Sequence, residues 1–322
     1  MNTHPFDLQG HRGARGLKPE NTLLSFEVAI DVGVTSIETD LHLTRDGIPV
    51  LVHDPMIETS FPNSVWERRP GRSQTEFGNE VPPAPLPISE LTLVDLRSWR
   101  ANRNPDPARF PCQDAIVTPL AASFALERGI DPFTPPTLDE LFSFARAYAA
   151  AAGQAAGKSE AQRHTASKLR YDLELKRVPL WPETIGDSLN EDGLGLLEQR
   201  LLQSVEGFDL WDRVSVRSFD HRCVLALKRQ CPQLRTAVLV ARTALVDPVA
   251  AVRHAQADCY CPDYQFVDQP QVRQLHDAGI SVVPWTVNDE ADWQRLLAWG
   301  VDGITTDYPD RLARFLRALQ GP

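Results

Sequence analysis

Short runs of apolar, β-branched residues alternate with stretches whose apolar positions recur every three or four residues, almost from one end of the chain to the other. Periods of two and of 3.6 in alternation predict βα units around a parallel sheet. Strands are predicted over Phe6–Gln9, Thr35–Leu43, Pro49–His53, Tyr171–Leu175, Arg213–Arg217, Thr236–Val240, Asp258–Cys261, Ser281–Val287 and Gly303–Thr306. The first helix carries its apolar stripe on Leu23, Phe26, Ala29 and Ile30, with Asn21 or Thr22 as its cap and Gly33 as its stop. Further helices are predicted over Leu138–Ala151, Gly193–Ser204 and Pro309–Leu319.

Nine strands are one too many for an eight-stranded barrel. Asp46-Gly47, between Leu43 and Pro49, is a strong hairpin signal, so Pro49–His53 is predicted to fold back on Thr35–Leu43 rather than serve as a stave. If Asp46-Gly47 is a two-residue turn, Asp40 lies directly opposite His53, on the same face; a longer turn shifts that register.

The alternation fails over 55–136, which holds 14 of the 26 prolines. Such density argues against long regular elements, one helical stretch from Ser89 to Trp99 excepted. Because the segment follows His53, it is expected to cover the mouth of the barrel and shape its substrate. The stretch from Ala149 to Ser167, rich in Ala, Gly, Gln and Lys, reads as a frayed helix end and exposed connector.

Composition narrows the class. At 322 residues, 42% hydrophobic and 24% charged, the chain can bury a large core and could hold two average domains or one α/β barrel; a single barrel domain over 1–322 with an insertion over about 55–136 is expected. A formal charge of -10 argues against a nucleic-acid partner but not against a phosphate held in a local cationic pocket. No apolar run reaches membrane-spanning length and Met1 to Gln9 lacks the regions of a signal peptide, so a cytosolic location without membrane insertion is expected. Five cysteines are irregularly spaced; Cys259 and Cys261 point to one face of a strand and read as buried structural thiols rather than a soft metal site.

The chemistry is concentrated near the N-terminus. His11-Arg12-Gly13, Pro19-Glu20-Asn21-Thr22, Glu38-Thr39-Asp40 and His53-Asp54 fall within 45 residues, and Asp172-Leu173-Glu174-Leu175-Lys176 follows far downstream. Glu38 and Asp40 share one strand face, as do Asp172, Glu174 and Lys176. These residues lie at or near the C-terminal ends of strands, where barrels of this type place their catalytic groups. Carboxylates converging there repel one another unless a cation sits among them, and oxygen ligands favour a single hard divalent ion, Mg²⁺ or Ca²⁺. Histidines at strand ends beside such a site are suited to proton transfer near neutral pH. His42 shares the face of Glu38 and Asp40 and is expected beyond the rim; His4, His164, His221, His254 and His276 have no such neighbours.

The ordered set resembles the glycerophosphodiester phosphodiesterase family. Ser215-Val216-Arg217-Ser218-Phe219, Trp285-Thr286-Val287-Asn288 and the run from Gly300 to Pro309 extend the likeness through the C-terminal half. The resemblance implies a TIM-type (β/α)8 barrel with an insertion after His-Asp. It implies Glu38, Asp40 and Glu174 as metal ligands, His11 and His53 as the acid/base pair, and Arg12 and Lys176 on phosphate oxygens. Trp285 would pack on the glycerol or head-group side, with barrel core as its other reading. The implied reaction hydrolyses a glycerophosphodiester to sn-glycerol 3-phosphate and an alcohol through a cyclic phosphate. A lyase that stops at the cyclic phosphate of a lysophospholipid and a non-catalytic binding barrel are the rival readings. The chain departs from the family after His-Asp, reading Pro55-Met56-Ile57-Glu58-Thr59-Ser60-Phe61, which leaves the head group open; Arg68 and Arg69 are candidate substitutes there.

Overall fold

The computed structural model describes residues 6–59, 64–69, 85–178, 181, 185–189 and 194–319. Eight parallel strands are set around a barrel: β1 (Asp7–His11), β2 (Ser36–Leu43), β4 (Arg170–Leu175), β5 (Val214–Ser218), β6 (Arg235–Val240), β7 (Cys259–Pro262), β8 (Ser281–Val282) and β9 (Gly303–Thr306). The sheet runs β8-β7-β6-β5-β4-β2-β1-β9. The remaining seam is joined by backbone bonds from Asp302 N to Val282 O (2.9 Å) and from Thr305 N to Pro284 O (3.0 Å). This is the TIM-type barrel that the resemblance implies, built from the βα units the alternation predicts.

Alternation within each strand divides the residues between two environments. Ile37, Leu41, Tyr171, Leu173, Val216 and Tyr260 point outward and are buried beneath helices that supply Phe26, Ile30, Leu141 and Leu201. The barrel interior is itself divided. Ala237, Leu239, Cys259, Cys261 and Val283 of β6, β7 and the β8 segment form an apolar half. β1, β2, β4 and β5 instead point Gln9, His11, Glu38, Asp40, Asp172, Glu174 and Arg217 inward, all buried. Charged groups enclosed this way are costly unless paired, so this half of the barrel is where chemistry is built.

Helix α1 (Leu23–Val32) begins at Thr22, whose side chain accepts from Ser25 N, and ends at Gly33 with φ 91°. Strand β3 (Pro49–Leu51) is the ninth strand and pairs antiparallel with β2, as the Asp-Gly signal predicts. Its register differs from the expectation by one residue. Leu41 opposes Leu51 and His42 opposes Val50, and Val52 N bonds Asp40 O, so Asp40 is not opposite His53. The loop has three residues, Arg45-Asp46-Gly47, closed by Thr44 N to Ile48 O (3.0 Å), with Gly47 at φ 75°. A three-residue hairpin of this kind favours glycine at its left-handed position, whereas a two-residue type I′ turn would have placed both Asp46 and Gly47 at positive φ.

Among its described residues, the insertion holds more regular structure than its proline content suggests. Pro119–Arg128 is a ten-residue helix, contrary to expectation, because Pro119 stands at the first helical position, where no backbone N–H is needed. The predicted Ser89–Trp99 helix shortens to Leu93–Leu96 behind a 3₁₀ turn at Ile88–Glu90. Trp66, Ile88, Leu96 and Trp99 gather with Val50 and Val52 into a separate small core. The stretch read as a frayed connector forms two short helices, Ala151–Ala155 and Glu160–Ser167. Lys158 between them pairs with Glu27 (2.6 Å) and Asp31 (2.8 Å) of α1, which pins the segment against the barrel.

Candidate active site

The site is assembled where β1, β2, β4 and β5 end. After His11 the chain turns sharply, with Arg12 at φ 49° and Gly13 at φ 85°. A Cβ on Gly13 would lie 2.4 Å from Ser25 Oγ, so only glycine fits this turn. The turn aims the Arg12 amide at Glu38 Oε2 (3.0 Å).

Glu38, Asp40 and Glu174 are buried and each offers an oxygen within 4.8 Å of the others. The parallel register between β2 and β4 puts Asp40 beside Glu174. Asp172 lies one layer deeper, bonded to Ser215 Oγ (2.8 Å) and Arg217 Nη1 (3.0 Å), and does not join the cluster. Three cations face the three ligand candidates. Arg217 Nη2 lies 2.8 Å from Glu38 Oε1, Lys176 Nζ lies 2.7 Å from Glu174 Oε1, and Arg12 Nε lies 3.3 Å from Asp40 Oδ2.

That compensation is incomplete. Burial, with the charges of Asp40 and Glu174, raises the Glu38 carboxyl to about 7 despite Arg217. Asp40 moves the other way: burial favours protonation, but Lys176 and Arg12 outweigh it and hold the group well below the carboxylate range. A buried all-oxygen cluster still short of positive charge fits a hard divalent cation, and Glu38, Asp40 and Glu174 are the residues that would hold it.

Each imidazole is oriented by a carboxylate. His11 Nδ1 lies 2.6 Å from Asp307 Oδ1. A carboxylate accepts, so Nδ1 carries the proton and Nε2, 3.9 Å from Glu38 Oε2, presents a lone pair to the cluster. Burial pushes His11 down to about 4 although Asp307 opposes the shift, so the ring is neutral at pH 7. His53 Nδ1 is likewise 2.7 Å from Asp54 Oδ1, but this ring is 32% exposed and reachable from outside. A narrow cleft lined by Glu20, Asn21, His53, Asp54, Val65, Trp66 and Ala101 adjoins it.

The structure also brings in residues to which the sequence reading assigned no contact at the site. Glu20 bonds Arg12 Nη1 (2.8 Å) and pairs with Arg15 Nε (2.6 Å). Asn21 donates to Asp40 Oδ2 (2.9 Å) and accepts from Thr39 Oγ1 (2.7 Å). The Pro-Glu-Asn-Thr motif thus fixes an arginine, a candidate ligand carboxylate and a helix start with three consecutive side chains. Asp307, 296 residues from His11 in sequence, takes Asn288 Nδ2 (2.7 Å) and Arg109 Nη2 (3.0 Å) on its second oxygen. Among the described residues of the insertion, Arg109 reaches the site through Asp307. Arg69 pairs instead with Asp131 (3.4 Å), and Arg68 is an exposed residue paired with Trp99 in a short antiparallel ladder. Of the divergent run after His-Asp, Ser60 and Phe61 lie outside the described residues.

Trp285 is half-buried at the mouth. Its indole N–H donates to Cys261 O (2.9 Å), and its ring meets Phe219 edge-on with centroids 5.6 Å apart. It packs on the apolar half of the interior, where Cys259 and Cys261 are buried free thiols as expected.

These features have counterparts in known proteins. Residues 11–311 match the model of the glycerophosphoryl diester phosphodiesterase family. The chain belongs to this family. It is therefore an enzyme of the phosphoric diester hydrolase class. The chain is 25% identical over 309 residues to a glycerophosphodiester phosphodiesterase of Bacillus subtilis (strain 168), covering 93% of this chain and 83% of that protein. A crystal structure from Silicibacter pomeroyi DSS-3, assigned to glycerophosphoryl diester phosphodiesterases, superposes with a TM-score of 0.74 at 27% identity, covering 99% of this chain and 95% of that one. A phosphodiesterase of Oleispira antarctica, crystallised with the product sn-glycerol 3-phosphate, shares the fold at a TM-score of 0.64 and 20% identity, covering 96% of each chain.

Asp307→Asn tests the orientation of His11. Asn288 and Arg109 both donate to Oδ2, so the amide would keep its carbonyl toward them and turn its NH₂ toward Nδ1. That reverses the tautomer and places the proton on Nε2. The expected result is a fall in kcat of about 10² with KM nearly unchanged, on the scale of general acid–base contributions. Unchanged kcat would show that the Asp307 contact does not govern the tautomer.

Proposed function

We propose that the enzyme hydrolyses glycerophosphodiesters to sn-glycerol 3-phosphate and an alcohol, with His11 and His53 as its acid/base pair and one divalent ion, Mg²⁺ or Ca²⁺, on Glu38, Asp40 and Glu174. The observation that carries this reading is the convergence of three buried carboxylates with two histidines, each held at Nδ1 by a carboxylate. The product bound to the Oleispira antarctica relative supports the substrate class.

His11 Nε2 takes the proton of the glycerol 2-hydroxyl as its oxygen attacks phosphorus. The bond from phosphorus to the leaving alcohol breaks, and His53 gives that oxygen a proton. A cyclic phosphate results. Water then opens it with the roles reversed: His53 accepts a proton from water and His11 returns one to the 2-hydroxyl. Arg12 and Lys176 hold the non-bridging phosphate oxygens. When bound, the divalent ion supplies charge neutralisation at phosphate and makes the attacking hydroxyl more acidic. Trp285 and Phe219 offer an apolar wall at the mouth, and the partly exposed His53 ring faces the side on which the alcohol leaves. The partner is a small molecule, and no helix among the described residues is long and apolar enough to cross a membrane.

The test is release of sn-glycerol 3-phosphate from a panel of glycerophosphodiesters, with EDTA and after adding back Mg²⁺ or Ca²⁺. Metal-dependent release of the monoester is expected. Accumulation of a cyclic phosphate by phosphorus NMR, without the monoester, would make the enzyme a lyase. Turnover undiminished by EDTA would overturn the metal assignment.

A further inference from the structure

His42 is a buried imidazole to which the mechanism gives no part. It sits on β2 two residues beyond Asp40, on the same face, opposite Val50 of β3, and is 1% exposed. Its Nε2 lies 3.1 Å from the backbone carbonyl oxygen of His53. A carbonyl only accepts, so the ring's proton is on Nε2 and is committed to that oxygen. Nδ1 is left without a hydrogen-bond partner among the described residues. A bare buried nitrogen is a cost that an aliphatic side chain would avoid. What the imidazole supplies in return is one donor, delivered to the peptide that carries His53.

The chain is held on either side of that peptide, by Val52 N to Asp40 O (3.0 Å) before it and by Ile88 N to Pro55 O (2.8 Å) after it, and the His42 bond is the contact made to the peptide's own carbonyl. The His53 ring is bonded to Asp54, whose side chain is 65% exposed and cannot by itself fix the ring against solvent. We propose that His42 is a positioning residue for His53: its Nε2–H···O bond fixes the peptide between His53 and Asp54, and with it the direction in which the His53 imidazole meets the leaving alcohol. This inference rests on the reading of His53 as the acid that protonates that alcohol.

The leaving group supplies the test. An alkoxide needs a proton to depart, whereas p-nitrophenolate does not. The experiment compares sn-glycero-3-phosphoethanolamine with the p-nitrophenyl ester of sn-glycerol 3-phosphate, using the metal-loaded wild type, His42→Leu, His42→Gln and His53→Ala. His42→Leu is expected to lose about 10- to 100-fold in kcat on the ethanolamine ester, the scale of a misplaced catalytic group, with KM unchanged. On the p-nitrophenyl ester its loss is expected to stay within about threefold, because there the proton no longer limits the step. His42→Gln, whose amide can offer an N–H to the same carbonyl, is expected to stay close to wild type on both. The rise in Tm on adding metal should be the same in wild type and both His42 variants, which separates the effect from damage to Asp40 next door.

Equal losses of His42→Leu on both esters, or no loss on either, would overturn the inference. So would a His42→Gln protein as impaired as His42→Leu. His53→Ala keeps the two levels apart. If it spares the p-nitrophenyl ester and His42→Leu does not, the positioning inference alone fails. If His53→Ala loses equally on both esters, the assignment of His53 as the acid fails and takes the inference with it.

Discussion

Replacing His11 by alanine is expected to lower kcat/KM for a glycerophosphodiester by about 10²–10⁴, and His53→Ala by a similar factor, the range for a positioned proton-transfer group. The two losses have different origins. His11 is buried and neutral, with Nδ1 tied to Asp307 and Nε2 facing the carboxylate cluster, so it is placed to remove a proton from a hydroxyl bound there. His53 is partly exposed, on the side where an alcohol can leave. In the proposed mechanism base and acid act on one displacement, so the double variant is expected to be little worse than either single one. Steady-state kinetics of the three proteins on one alkyl diester decide the matter. Full activity in either single variant would remove that residue from the mechanism, and strictly multiplicative losses would mean that the two contribute independently rather than as a unit.

How much of this was legible in the sequence depends on the range over which each feature is encoded. Glu38 and Asp40 sit two apart on one strand, as do Glu174 and Lys176, and period-two alternation is enough to put each pair on one face. The ninth strand and its hairpin follow from Asp46-Gly47 for the same local reason. The register was missed by one residue because it depends on whether Arg45 belongs to the strand or to the loop, and Thr44 decides this by closing on Ile48. The partners of the site are another matter. Asp307 meets His11 because β9 closes the barrel beside β1, which no local pattern in either segment states. A signal was present all the same: Arg217 and Asp172 are charged residues at inward positions of predicted barrel strands, and such groups need partners. They find each other at 3.0 Å, with Arg217 bridging onward to Glu38. Arg109 was hidden for a different reason. It comes from the proline-rich insertion, and it is held in place by tertiary contacts: Tyr308 donates to its carbonyl, and its guanidinium lies 5.0 Å from the centre of the buried Phe110 ring.

Glu174→Gln is expected to lower turnover by about 10³ or more, since loss of bound cation removes several kcal/mol of charge stabilisation at phosphate. A loss of activity alone would not separate a ligand from any other essential carboxylate, so stability supplies the second reading. Glu38, Asp40 and Glu174 crowd their oxygens within 4.8 Å, and Glu174 contributes to the repulsion that raises Glu38. Removing one negative charge relieves that repulsion. The amide oxygen of the substituted side chain can still accept from Lys176, which keeps Asp40 as its ionic partner at 3.4 Å. The metal-free variant is therefore expected to melt no lower than the metal-free wild type. Divalent ion should raise the wild-type Tm, since ligand at a hundredfold over its Kd adds about 2.7 kcal/mol of stability. In Glu174→Gln that rise should vanish at the same concentration. A variant that still responds to metal but no longer turns over would place Glu174 on the substrate instead of the ion. One that loses stability without metal would mean that its carboxylate is chiefly the counter-ion of Lys176. Only loss of both activity and metal response, with the metal-free fold intact, identifies the three carboxylates as a cation site, because a cation is the one partner that makes their crowding favourable.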